Sequence, residues 1–77
     1  MEVNEAIRLR IDRLLKEKGW IYNELIKRSG INQTTLSEFK SGRSKTITVR
    51  TVEKIAFGFG MNLSQFFDDE LFKETPN

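Results

Sequence analysis

The sequence predicts an all-α domain built from five short helices. Three observations carry that expectation. Apolar residues recur at steps of three and four along most of the chain, and glycines fall just past the end of several such stretches. Alternation of the strand kind is confined to residues 46–50, and no internal repeat or long linker divides the chain. With 77 residues there is room for one core.

The first helix is expected over residues 4–18, with Val3, Ile7, Ile11, Leu14 and Leu15 on its inner side, Asn4 as N-cap and Gly19 as the stop. Leu9 lies about 200 degrees from Ile7 at helical phase, so it leaves this stripe. Trp20, just past Gly19, reads as a packing anchor. A short second helix over 21–29 turns Leu25 and Ile26 inward and stops at Gly30. Asn32 then caps a third helix over 33–41, where Leu36 and Phe39 share one face and Gly42 marks the end. Thr48 caps a fourth over 49–59, with Val49, Val52, Ile55, Ala56 and Phe59 at helical spacing up to Gly60. Gly58 within it costs about 1 kcal/mol relative to alanine, a cost that fits a close helix contact. Asn62 and Gln65 form a capping-box pattern for a fifth helix over 63–71, with residues 73–77 expected to fray.

Composition removes several kinds of chemistry. No histidine means no unperturbed side chain titrating near neutral pH, and no cysteine means neither a thiolate nucleophile nor a thiolate ligand for zinc. There is no glycine-rich phosphate loop, and Asp68, Asp69 and Glu70, consecutive on a helix, point in different directions and read as a solvated acidic end. The chain is therefore expected not to be an enzyme and to need no metal or cofactor. No apolar run approaches the roughly 20 residues that span a bilayer, so a cytoplasmic location without membrane contact is expected. The net charge of +2 is uneven. Residues 1–67 carry 12 basic against 7 acidic side chains, whereas residues 68–77 carry one basic and four acidic. A basic body suits an anionic partner without specifying one.

The stretch from Glu24 to Gly42 places a helix, a glycine turn, an N-cap and a second helix with a polar outer face in succession, which is the helix-turn-helix pattern. With Gly30, Ile31 and Leu36 in that unit, Gly42 to Lys45 after it and Phe59 to Phe67 later, the chain resembles the Cro-type, lambda-repressor-like family of prokaryotic DNA-binding domains over about residues 5–68. The resemblance implies a compact five-helix domain whose third helix enters the major groove of double-stranded DNA.

Turning Leu36 and Phe39 inward leaves Gln33, Thr34, Ser37 and Glu38 facing outward, the family's base-facing positions. The amide of Gln33 suits adenine N6 and N7, and the alternative is an ordinary polar first-turn residue. Thr34 and Ser37 suit a thymine methyl or a base acceptor. Glu38 suits cytosine N4 or, more simply, a local ion pair. Phosphate contacts are expected from Asn32, Thr35, Lys40, Arg43 and Lys45, and from the Tyr22 hydroxyl, with a half-buried packing tyrosine as the alternative. The family often has alanine where Ile26 stands and a hydroxyl cap with glutamine where Ile21 and Tyr22 stand. Glu24 keeps only the N3 half of a capping box.

Phe66, Phe67, Leu71 and Phe72 crowd four large apolar side chains into seven positions. A homodimer through them would set two recognition helices roughly 34 Å apart on a pseudo-palindromic operator, and closing the chain's own core is the alternative. Two functions remain open at this point. One is a small dimeric repressor that binds a specific DNA sequence. The other is an interaction module of the same fold for a protein partner, as an antitoxin is.

Overall fold

Asn32, Thr48 and Asn62 each turn a side-chain oxygen onto an amide of the turn that follows, and these three caps start three helices. The computed structural model describes residues 1–73. Its helices are α1 (Val3–Lys18), α2 (Tyr22–Ser29), α3 (Gln33–Ser41), α4 (Val49–Gly58), α5 (Leu63–Phe66) and α6 (Glu70–Lys73), with no strand among the described residues. Ile11, Leu14, Leu25, Leu36, Phe39, Val52, Ile55 and Phe66 are the most deeply buried large side chains, and they belong to one core cluster. Helices this short are marginal alone, so the shared core holds them.

The start of α1 differs from expectation. Glu2, not Asn4, is the N-cap, accepting from the Asn4 and Glu5 amides at 3.0 and 3.2 Å. The hydrogen bonds from Asn4, the backbone one foremost, hold the Glu2 carboxyl below its ordinary range. Asn4 is thereby free to accept from the Ile47 amide at 3.2 Å, tying α1 to the loop before α4. Two residues assigned to inner faces are outside: Val3 is 43% exposed and Val49 is 67% exposed. Each lies in the first turn of its helix, where there is no preceding turn to pack beneath. Leu9 is half-buried and lies outside the core cluster, as its helical phase predicts.

The expected fifth helix is two pieces, so the described residues form six helices rather than five. Arg10, buried on α1, explains the break. Its Nε donates to the Phe66 carbonyl at 2.8 Å and a second nitrogen to the Gln65 carbonyl at 3.1 Å. A third contact pairs it with Asp69 Oδ2 at 3.1 Å. The carbonyls that would carry the helix onward are thus taken by a guanidinium. Asp69 Oδ1 then accepts from the Leu71 amide at 2.9 Å and starts α6, which packs on α1. Of the expected frayed tail, Lys73 ends α6, and residues 74–77 lie outside the described residues.

Gly58 permits a close helix approach. A Cβ placed there would lie 2.9 Å from Ser29 Cβ and 3.1 Å from Ser29 Cα and N, so α2 and α4 meet nearly backbone to backbone. This contact sets the position of α2 and, through Gly30 at φ +71°, the direction of the turn into α3. Trp20 is an anchor as expected, its ring stacked on Phe59 at 5.6 Å and covered on one side by the Arg28 guanidinium.

Candidate nucleic-acid interface

Helix α3 is held from beneath by Leu36 and Phe39, both buried, and from its C-terminal end by α1. Arg8 Nε donates to the Phe39 carbonyl at 2.7 Å, and its guanidinium lies 4.5 Å from the centre of the Phe39 ring. The turn before α3 is closed by Ile31, which is buried and donates its amide to Ser29 Oγ. Asn32 Oδ1 accepts from the Thr34 and Thr35 amides at 2.8 and 3.3 Å. Fixed at both ends and underneath, α3 has one orientation to offer.

Its outer side carries Gln33, Thr34, Thr35 and Ser37, all exposed, with Glu38 half-exposed. Gln33, Ser37 and Lys40 fall at i, i+4 and i+7, so they share one side of the helix. These three line a shallow notch against Tyr22, Asn23 and Ile26 of α2, with Leu36 at its base. Ile26, half-buried, thus fills part of the space between α2 and α3 where the family often has alanine. Arg43 and Lys45 follow α3 as exposed cations. Their loop is shaped by the Ser44 amide, which donates to the Glu38 carbonyl at 3.0 Å, and by the Ser44 hydroxyl, which donates to the Thr46 carbonyl.

Several expected roles change. Glu38 forms no ion pair among the described residues, where a local pair is the simpler expectation. Glu24 pairs with Arg28 at 2.6 Å instead of completing a capping box, and α2 starts at Tyr22 with no side-chain cap. Tyr22 donates its hydroxyl to Asp12. Burial first, and then Asp12, raise the pKa of that phenol above its ordinary value, so the proton stays in place. Phe66 and Leu71 are buried within the chain itself, which removes them from any surface available to a partner. Phe67 and Phe72 are half-buried and pack edge to face at 4.8 Å.

The large exposed apolar side chains that the sequence reading missed are Phe57, 73% exposed, and Ile21, 70% exposed. Phe57 follows the inward Ala56 directly in the sequence, and helical phase alone would have put it outside.

A glycine-turned helix pair whose second helix is anchored from below and presents an unobstructed polar face defines the class of a helix-turn-helix DNA-binding domain. The chain belongs to the Cro/C1-type helix-turn-helix DNA-binding domain family, whose model matches residues 10–71. It is also similar to a solved structure of a single-residue variant of the restriction-modification controller protein C.Esp1396I. The TM-score is 0.78 at 25% identity, covering 96% of this chain and 94% of that one. Among curated proteins, no sequence matches the chain. No helix among the described residues is long and apolar enough to cross a membrane. The protein is thus a DNA-binding regulator of the Cro/C1 type.

Proposed function

We propose that the protein is a cytoplasmic transcriptional repressor that binds a pseudo-palindromic duplex operator as a homodimer. The observation that carries this reading is the anchored α3, with Gln33, Thr34 and Ser37 outward and Arg43 and Lys45 beyond its end. Gln33 bonds to adenine in the major groove, Thr34 and Ser37 meet neighbouring base edges, and Glu38, with no ion pair among the described residues, accepts from cytosine N4. Asn32, Thr35, Lys40, Arg43 and Lys45 lie along the rim and take phosphates. Similarity to a restriction-modification controller supports a regulatory role. The test is binding by two variants across salt concentrations. Gln33→Ala costs about 1 to 3 kcal/mol at one operator position, whereas Arg43→Ala weakens all sequences and lowers the salt slope by about 0.9. Equal losses on every sequence for Gln33→Ala remove it as a base reader.

The dimer surface we assign is the outer side of α4. Val49, Glu53 and Phe57 fall at i, i+4 and i+8, and all three are exposed. Arg50 and Lys54 flank them, so two antiparallel copies of α4 bring Phe57 against the partner's Val49 and set the two Glu53 carboxylates opposite each other at the axis, with the Arg50 and Lys54 cations beside them. Phe57→Glu is expected to convert a dimer into a folded monomer in sedimentation equilibrium. The same exposed Phe57 favours a second reading, in which this face takes a different protein, and a monomeric wild-type chain would decide for it.

A further inference from the structure

Tyr22, the chain's one tyrosine, sits at the first position of α2, at the edge of the notch it shares with α3. The Lys40 ammonium lies over its ring, 3.7 Å from the centroid. Its hydroxyl is committed to Asp12 on α1, so three helices meet at this one side chain. The ring is half-buried, while Lys40 and Asp12 are exposed. A hydroxyl has one proton, and here the carboxylate takes it. The ring face, which carries the negative lobe of the quadrupole, takes the cation. Lys40 is the last of the Gln33, Ser37 and Lys40 row, so the seat fixes a positive charge at a set distance from the two polar side chains in front of it.

We propose that Tyr22 is a positioning residue for DNA binding: its ring face seats the Lys40 ammonium, so that Lys40 meets a backbone phosphate in register with Gln33. The inference rests on the DNA-binding reading of α3 and deepens it. An unrestrained lysine loses several rotatable bonds on contacting phosphate, and one already held over a ring has lost part of that freedom beforehand. The hydroxyl itself does not reach phosphate in this arrangement.

The test compares Tyr22→Phe, Tyr22→Leu, Lys40→Met and the Tyr22→Leu, Lys40→Met double variant on an operator selected with the intact chain. Tyr22→Phe keeps the ring face, and its Kd is expected to stay within about twofold of the original. Tyr22→Leu loses the seat and weakens binding by about two- to fivefold, the range of an exposed cation–aromatic contact. In the Lys40→Met background, Tyr22→Leu adds nothing. If Tyr22→Phe weakens binding as much as Tyr22→Leu, the hydroxyl is what matters and the proposal is overturned. It is equally overturned if the loss from Tyr22→Leu persists without Lys40. A readout that needs no DNA accompanies these. The ε-methylene protons of Lys40 are expected upfield by ring current in the free protein and in Tyr22→Phe, and at ordinary positions in Tyr22→Leu. Ordinary positions in the intact protein refute the seat. Normal ring-current shifts with no binding to any duplex leave the seat standing and refute the DNA reading instead. Thermal unfolding of Tyr22→Leu identifies any loss that comes from misfolding, and Tyr22→Phe keeps the comparison decisive in that case.

Discussion

Gly58→Ala puts the packing of α2 on α4 to a direct test. In a solvent-exposed helix the change would stabilise by about 1 kcal/mol, because alanine restricts the unfolded chain and favours the helix. Here the new methyl lands 2.9 Å from Ser29 Cβ and 3.1 Å from its Cα and N. Two of those three atoms are backbone, so no rotamer change relieves the contact, and α2 must move as a body. Overpacking of this kind costs about 1 to 3 kcal/mol, occasionally more, and with backbone atoms in the way the upper part of that range applies. Subtracting the gain in propensity leaves a net loss of about 1 to 2 kcal/mol. For a domain of this size each kcal/mol lowers Tm by about 4 to 8 °C. Thermal and urea unfolding followed by circular dichroism read the change. A displaced α2 also re-aims the turn into α3, so operator affinity falls at temperatures where the variant is fully folded. A Gly58→Ala protein as stable as the original, or more so, refutes the claim that these two backbones are in contact.

Three further outcomes are expected. Arg10→Ala removes a guanidinium shared by two carbonyls and the Asp69 carboxylate and should destabilise by about 2 to 3 kcal/mol in urea unfolding, below the value for a fully buried pair because Asp69 is partly exposed and keeps Arg13 as a second partner. Asn32→Ala removes the α3 cap and should cost about 1 kcal/mol by the same measurement, while leaving α1 intact. Tyr22, the single tyrosine, should show no phenolate absorbance around its ordinary value of 10.0 while the chain stays folded. Its pKa is raised in the folded state, so folding stability is fully present below about pH 10 and declines as pH rises above it. Ionisation at the ordinary pH would contradict the Asp12 bond.

The parts legible in the sequence are those decided by neighbours along the chain. Asn32, Thr48 and Asn62 cap within three residues, and Gly19, Gly30 and Gly42 end helices by their own backbone freedom, so six of these boundaries need no tertiary knowledge. The close contact at Gly58 was legible too, since a glycine inside a helical pattern asks for a reason. What sequence periodicity could not give depends on long-range partners. The break between α5 and α6 is made by Arg10, more than fifty residues earlier, and the local sign of it, Asp69 accepting from the Leu71 amide, lies inside a run of three acidic residues that periodicity does not single out. Glu2 takes the cap in place of Asn4, whose oxygen accepts instead from Ile47, a residue far along the chain. At the candidate interface, the outward set on α3 followed from two buried residues, Leu36 and Phe39. The role of Tyr22 did not, because Asp12 and Lys40 come from two other helices. The apolar surface was misplaced for a related reason: the crowding at residues 66–72 is relieved inside the chain, whereas Phe57 and Val49 are exposed on α4.

The central claim is that α3 reads a specific duplex sequence. Selection from a random duplex library at about 150 mM salt, followed by titration of the selected sequence and a scrambled one across salt concentrations, tests it most directly. The expected result is an enriched pseudo-palindrome with half-sites about one helical turn apart, bound at least about 10³ tighter than scrambled DNA. No enrichment, with only weak and salt-sensitive binding to any duplex, would contradict it.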